Sequence, residues 1–139
     1  MAYIEDLTLQ NSAGETKSNY SLIADLATAI ARANRNVQLL HPTEEDLEID
    51  AKDGDELYFN VYDQSVILNL PDVSTKAGVC VYARITTDGD GTVTIVPNAD
   101  GENSIIDVMG NQVLTVQGDY VELVSLGNGT WLRKSYFID

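Results

Sequence analysis

His41 is the only histidine of the chain and Cys80 the only cysteine, so any imidazole-based catalytic pair must pass through one residue. His41 precedes Pro42 at a junction between two differently patterned halves, and no motif around it or around Cys80 marks a nucleophile and its base. One cysteine and one histidine do not assemble the side-chain set of a zinc site, and a single cysteine closes no intrachain disulfide. Val79-Cys80-Val81 reads as apolar strand, with Cys80 packed as a small buried hydrophobe. Carboxylates are plentiful, but no pair stands out for acid–base work. The run Glu44, Glu45, Asp46, Glu48, Asp50, Asp53, Asp55, Glu56 reads as a solvated loop entering the first long strand. Asp88-Gly89-Asp90-Gly91 has the opening of a calcium loop, which makes Asp88 and Asp90 the two metal candidates. The twelfth position, where such a loop needs a carboxylate, is Ala99. A hairpin turn with glycines at positive φ accounts for the same residues. Phosphate-binding glycine loops are absent, Arg133-Lys134 is the only adjacent basic pair, and nothing points to an enzyme or a cofactor. Trp131, in Gly127-Asn128-Gly129-Thr130-Trp131-Leu132, reads as the packed residue of a hairpin, with an interface role as the alternative.

The elements that would hold these residues fall into two styles. With 139 residues the chain has room for one domain with a real core. Its formal charge of −14 repels phosphate backbones and anionic bilayers, which argues against nucleic acid and membrane partners. The acidic N-terminus lacks a secretion-signal pattern, and no apolar run reaches the roughly 20 residues that span a bilayer. These features predict a protein made and kept soluble in a cytoplasm. Residues 1–18 are polar and irregular and read as an extended arm. From 19 to 36 the residues Leu22, Ile23, Leu26, Ile30 and Ala33 form one stripe at helical spacing, on a slim helix containing Ala24, Ala27, Ala29, Ala31 and Ala33.

After Pro42 the pattern turns to short β-type runs between Gly, Asp and Asn signals. Expected strands are Glu56–Tyr62, Ser65–Leu70, Val79–Thr87, Thr92–Val96, Ser104–Val108, Gln112–Val116, Tyr120–Leu126 and Thr130–Phe137, with a further short one near Val37–Leu40. The continuous apolar character of Ser65–Leu70 suggests a strand covered on both sides. Turn signals every 8–12 residues point to an antiparallel sandwich or barrel. No helix of crossover length separates the strands, which disfavours parallel pairing. The expected fold is therefore mainly β, an antiparallel sandwich or barrel with one N-terminal α-helix, as a single domain over 19–139.

The stretch Thr94-Ile95-Val96-Pro97, Ala99-Asp100-Gly101-Glu102-Asn103-Ser104-Ile105, Val113-Leu114-Thr115-Val116, Tyr120-Val121-Glu122-Leu123-Val124-Ser125 and Gly127-Asn128-Gly129-Thr130-Trp131 is similar to β-rich modules of tailed-bacteriophage virion proteins. These include capsid decoration (cement) proteins, head fibres and tail-fibre segments. The resemblance covers about 40 residues and carries no catalytic site. It implies a non-enzymatic structural protein of the virion, with a decoration protein on the outer capsid leading and a fibre or tail adaptor second. The implied partners are the major capsid protein or another virion protein, together with further copies in a homotrimer. The implied location is the virion, after synthesis in the host cytoplasm. A carbohydrate-binding β-sandwich using Tyr58, Tyr62, Tyr82, Tyr120 or Trp131 as a stacking platform is a further reading, and a small hydrolase with a carboxylate pair ranks last.

Overall fold

From Asn36 onward apolar residues recur at every second position, and the backbone is extended where they do. The computed structural model describes residues 9–10, 16–17, 23, 26, 35–98 and 100–139. The chain divides into two compact units, Met1–Arg35 and Asn36–Asp139. In the first, strands β1 (Leu9–Gln10) and β2 (Thr16–Lys17) pair antiparallel. Ile23 and Leu26 are helical and exposed. The rest of the helix expected over 19–36 lies outside the described residues up to residue 34; Arg35 is not helical, and Asn36 opens a strand.

The second unit holds β3 (Asn36–Leu40), β4 (Leu47–Asp50), β5 (Asp55–Phe59), β6 (Val66–Asn69), β7 (Ala77–Ile85), β8 (Val93–Val96), β9 (Ser104–Ile105), β10 (Gln112–Leu114), β11 (Tyr120–Leu126) and β12 (Thr130–Phe137). They form a six-stranded sheet, β3-β5-β7-β11-β12-β9, and a four-stranded sheet, β10-β8-β6-β4. The fold is mainly β, but the pairing is not the antiparallel one expected. Strands β3, β5 and β7 are mutually parallel, and so are β4, β6 and β8. A parallel pair needs a long crossover, commonly a helix. Here the crossover is itself a strand of the opposite sheet, so the chain winds from sheet to sheet as a flattened solenoid of three rungs. From Asn36 to Asp55, and from Leu47 to Val66, the rung repeats after 19 residues. The last strands return to antiparallel pairing: β11 lies between β7 and β12, and β10 flanks β8. Short β9 runs parallel to β12.

The core lies between the two sheets. Leu57, Phe59, Ile85 and Leu123 face Val66, Leu68, Ile95 and Leu114 from opposite layers, all at most 1% exposed. Trp131 is the bulkiest side chain in this layer and is wholly buried. Strict alternation explains two departures from expectation. Val79 and Val81 point inward, so Cys80 between them is exposed rather than packed. Strand β6 buries Val66 and Leu68 while Ile67 and Asn69 stay half-exposed, so only one of its faces is covered. Expected Ser104–Val108 and Gln112–Val116 shorten to β9 and β10.

The acidic run is not a solvated loop throughout. Leu47 and Ile49 turn toward the core beneath exposed Glu48 and Asp50, which makes β4 a strand. Asp55 is buried and accepts hydrogen bonds from Lys52 N (2.7 Å) and Asn36 Nδ2 (3.0 Å). Asp53 accepts one from Cys80 N at 3.0 Å. These carboxylates fix the corner from which β5 starts. A second polar knot ties the loop after β6 to the loop after β8. Asn103 Nδ2 donates to Asp72 Oδ1 and to the Asn98 carbonyl, while its Oδ1 accepts from Val73 N. Hydrogen bonds from Ser74 and Asn103 hold the Asp72 carboxyl below its ordinary value. Among the described residues no helix is long and apolar enough to cross a membrane.

Candidate functional site

Register places a band of aromatic and charged side chains on the outer face of the six-stranded sheet. Leu39, Tyr58, Arg84, Tyr120 and Phe137 lie opposite one another across β3, β5, β7, β11 and β12. The neighbouring outward row is Val37, Glu56, Tyr82, Glu122 and Ser135. Tyrosines from the two rows alternate diagonally, which is the reach aromatic rings have across a sheet. The Tyr58 and Tyr82 centroids are 5.7 Å apart and tilted by 52°, and those of Tyr82 and Tyr120 are 5.8 Å apart at 26°. The Arg84 guanidinium lies 5.8 Å from the Tyr120 ring centre.

The three rings are half-buried by their neighbours, whereas the ends of the band are open, with Leu39 70% and Phe137 57% exposed. Polar contacts fix the rings. Tyr58 donates to Glu56 Oε1 at 3.3 Å, Tyr120 and Ser135 share a hydroxyl hydrogen bond of 3.1 Å, and Lys134 Nζ sits 3.8 Å from Glu122 Oε1. Burial, reinforced by the Glu56 carboxylate and Tyr82, raises the Tyr58 hydroxyl above the ordinary phenol value. It is therefore a neutral hydrogen-bond donor at physiological pH. The band can bind by stacking, cation–π contact and hydrogen bonding.

At the C-terminal ends of β3, β5 and β7 the same ladder runs on through Asn60 N to Leu40 O and Thr86 N to Phe59 O. There His41, Asn60, Thr86 and Gln117 line an open hollow with Tyr62, Asp63 and Asp88. Cys80 lies six residues back along β7, about 20 Å away at the rise of a strand. The lone histidine and the lone cysteine thus sit toward opposite ends of the sheet.

The two metal candidates, Asp88 and Asp90, border the neighbouring hollow with Tyr62, Asp63 and Gly89. Among the described residues no group of three or more His, Cys, Asp or Glu is placed to hold a metal ion. The glycines between them have another cause. A Cβ on Gly89 would stand 2.2 Å from the Tyr62 carbonyl oxygen, and one on Gly91 would stand 1.9 Å from that of Val61. The loop backbone lies against this segment, with Asp90 N donating to Tyr62 O at 2.8 Å and Gly91 N at 3.4 Å. Neither glycine has positive φ, and the segment crosses from β7 to β8 in the other sheet rather than closing a hairpin. Close backbone packing, not a φ requirement, selects them.

Of the platform residues expected from sequence, Tyr58, Tyr82 and Tyr120 come together. Tyr62 belongs to the hollow and Trp131 to the core. Sequence alone does not single out Arg84, Leu39 and Phe137, and it assigns Glu56 to the acidic loop rather than to this band. Their signal was alternation combined with register, and register depends on the rung step. No protein-family model matches the chain, and no curated protein matches its sequence.

Proposed function

We propose that the chain is a non-enzymatic structural protein of a phage virion, a decoration (cement) protein that docks on the outer capsid surface and stabilises it. The observation that carries this reading is the tyrosine–arginine band on an otherwise open sheet face. Tyr and Arg are the residues that dominate protein interfaces, and apolar ends such as Leu39 and Phe137 supply area to desolvate. The similarity of 94–131 to virion modules supplies the kind of partner, the major capsid protein, and assembly as a homotrimer. The net charge of −14 suits an outward-facing, soluble coat. The direct test is cosedimentation with capsids assembled without this protein. Binding that Tyr82→Ala weakens at least tenfold supports the docking face, and undiminished binding refutes it. A trimer by light scattering supports the assembly.

A second reading rests on the same three rings, a carbohydrate-binding module in which sugars stack along the band. Glycan-array binding lost in Tyr82→Ala with capsid binding intact favours this reading over the first.

A further inference from the structure

The solenoid has one end that its own rungs leave unfinished. Strand β3 terminates the six-stranded sheet and β4 the four-stranded sheet, so among the described residues neither has a second neighbour. Both belong to the first rung. Its inward side chains are correspondingly under-covered: Leu47 and Ile49 are half-buried, while their register partners Val66 and Val93, Leu68 and Ile95 are wholly buried. The backbone shows the same deficit. Val66 N donates to Thr92 O on the β8 side, and Ala51 N donates to Asn69 O of β6, so in the Leu47–Val66 register the N–H and C=O groups of Leu47 and Ile49 face β6 while those of Glu48 and Asp50 face the open side. An edge of this kind is a template for one more strand.

We propose that the β4 edge is a docking site for a cationic, extended segment of a partner protein, which adds to the four-stranded sheet as a further strand. Backbone pairing with Glu48 and Asp50 would supply affinity, and side-chain alternation would supply selectivity. Apolar residues of the incoming strand complete the cover over Leu47 and Ile49, and basic residues meet exposed Glu48 and Asp50. Glu44 and Asp46 lie exposed just upstream, so the whole approach is acidic. The same charges disfavour a second copy of this chain, whose own β4 would bring acid against acid. The edge lies on the opposite sheet from the tyrosine band, and the inference stands or falls without the capsid reading.

The test uses the full-length protein and a fluorescein-labelled alternating lysine–valine octapeptide, read by anisotropy at low salt and by amide NMR. Three results are expected: saturable binding, chemical-shift changes centred on the Glu48 and Asp50 amides, and at least tenfold weaker binding by the same peptide N-methylated at alternate residues. Glu44→Lys with Glu48→Lys, both fully solvent-facing positions, should weaken binding at least tenfold with unchanged melting. Tyr82→Ala should leave it unaltered. Equal binding by the N-methylated peptide would overturn the proposal, because attraction would then be charge alone. Absence of binding, or shifts that avoid Glu48 and Asp50, would overturn it too and leave the acidic residues as guards of the edge. Concentration-dependent dimerisation through β4 would replace the cationic partner with a second copy.

Discussion

Asp119 is the carboxylate on which the closing half of the sandwich turns. It is wholly buried, and its Oδ2 accepts hydrogen bonds from Thr115 N (2.9 Å) and Val116 N (3.1 Å) while Oδ1 accepts from Asp139 N (3.0 Å). Burial pushes this carboxyl up, but the N–H groups of Asp139, Thr115 and Val116 and the Thr115 hydroxyl together outweigh it and hold it below 3.8. Asp119→Asn keeps the size but removes the charge and turns one acceptor into a donor facing an N–H. The loss of one charge-assisted bond and the weakening of the others come to about 2 kcal/mol. For a unit of this size that lowers the melting temperature by roughly 8 °C. A group whose folded pKa is depressed contributes its stability fully above the unfolded value and loses it as pH falls through the folded one. The gap between parent and variant should therefore be constant from neutral pH down to about 5 and shrink below 4. Calorimetry or thermal circular dichroism from pH 7 to pH 2 reads both quantities. A variant that melts within about 2 °C of the parent at pH 7, or a gap unchanged at pH 2, would refute this account of the Asp119 cluster.

Three further outcomes follow from packing. Trp131→Ala should cost about 3–5 kcal/mol in urea unfolding, whereas Trp131→Phe should cost under about 2, since the buried indole N–H has no hydrogen-bond partner to lose. Gly89→Ala and Gly91→Ala should each lower the melting temperature more than Gly110→Ala, whose added Cβ meets nothing within 4 Å and costs only its φ of +76°; calcium or chelator should leave all three unchanged. Cys80 should react with a thiol reagent in the native protein as fast as in the urea-unfolded chain, because it is exposed.

The strands themselves were largely readable from sequence, because alternation such as Thr92-Val93-Thr94-Ile95-Val96 depends only on burial of one face. Partner choice was not. Parallel pairing of Asn36–Leu40 with Asp55–Phe59 is decided by where the chain goes in between, and that depends on Leu47 and Ile49. Those residues lie among carboxylates whose charge masked a strand pattern. Apolar neighbours on both sides suggest burial of Cys80 itself, but with period two they assign it to the other face. For the same reason three of the tyrosines could be named from sequence but their alignment could not. Tyr58, Tyr82 and Tyr120 become neighbours only once the rung step and the β7–β11 register are fixed.

The solenoid path also sets an order of events in time. Within Asn36–Asp139, β11 and β12 are the only sequence-adjacent strands that pair antiparallel, joined by a turn in which Gly127 and Gly129 take positive φ. A hairpin of this kind closes in microseconds. Strands β3 to β8, by contrast, each wait for a partner a full rung away, with loop closure still to be overcome. The fastest-forming piece is therefore made after every rung of the solenoid. Strand β7 thus waits for the late-made pair β11 and β12 before its second neighbour is in place, so the rungs are closed by the hairpin rather than the hairpin by the rungs.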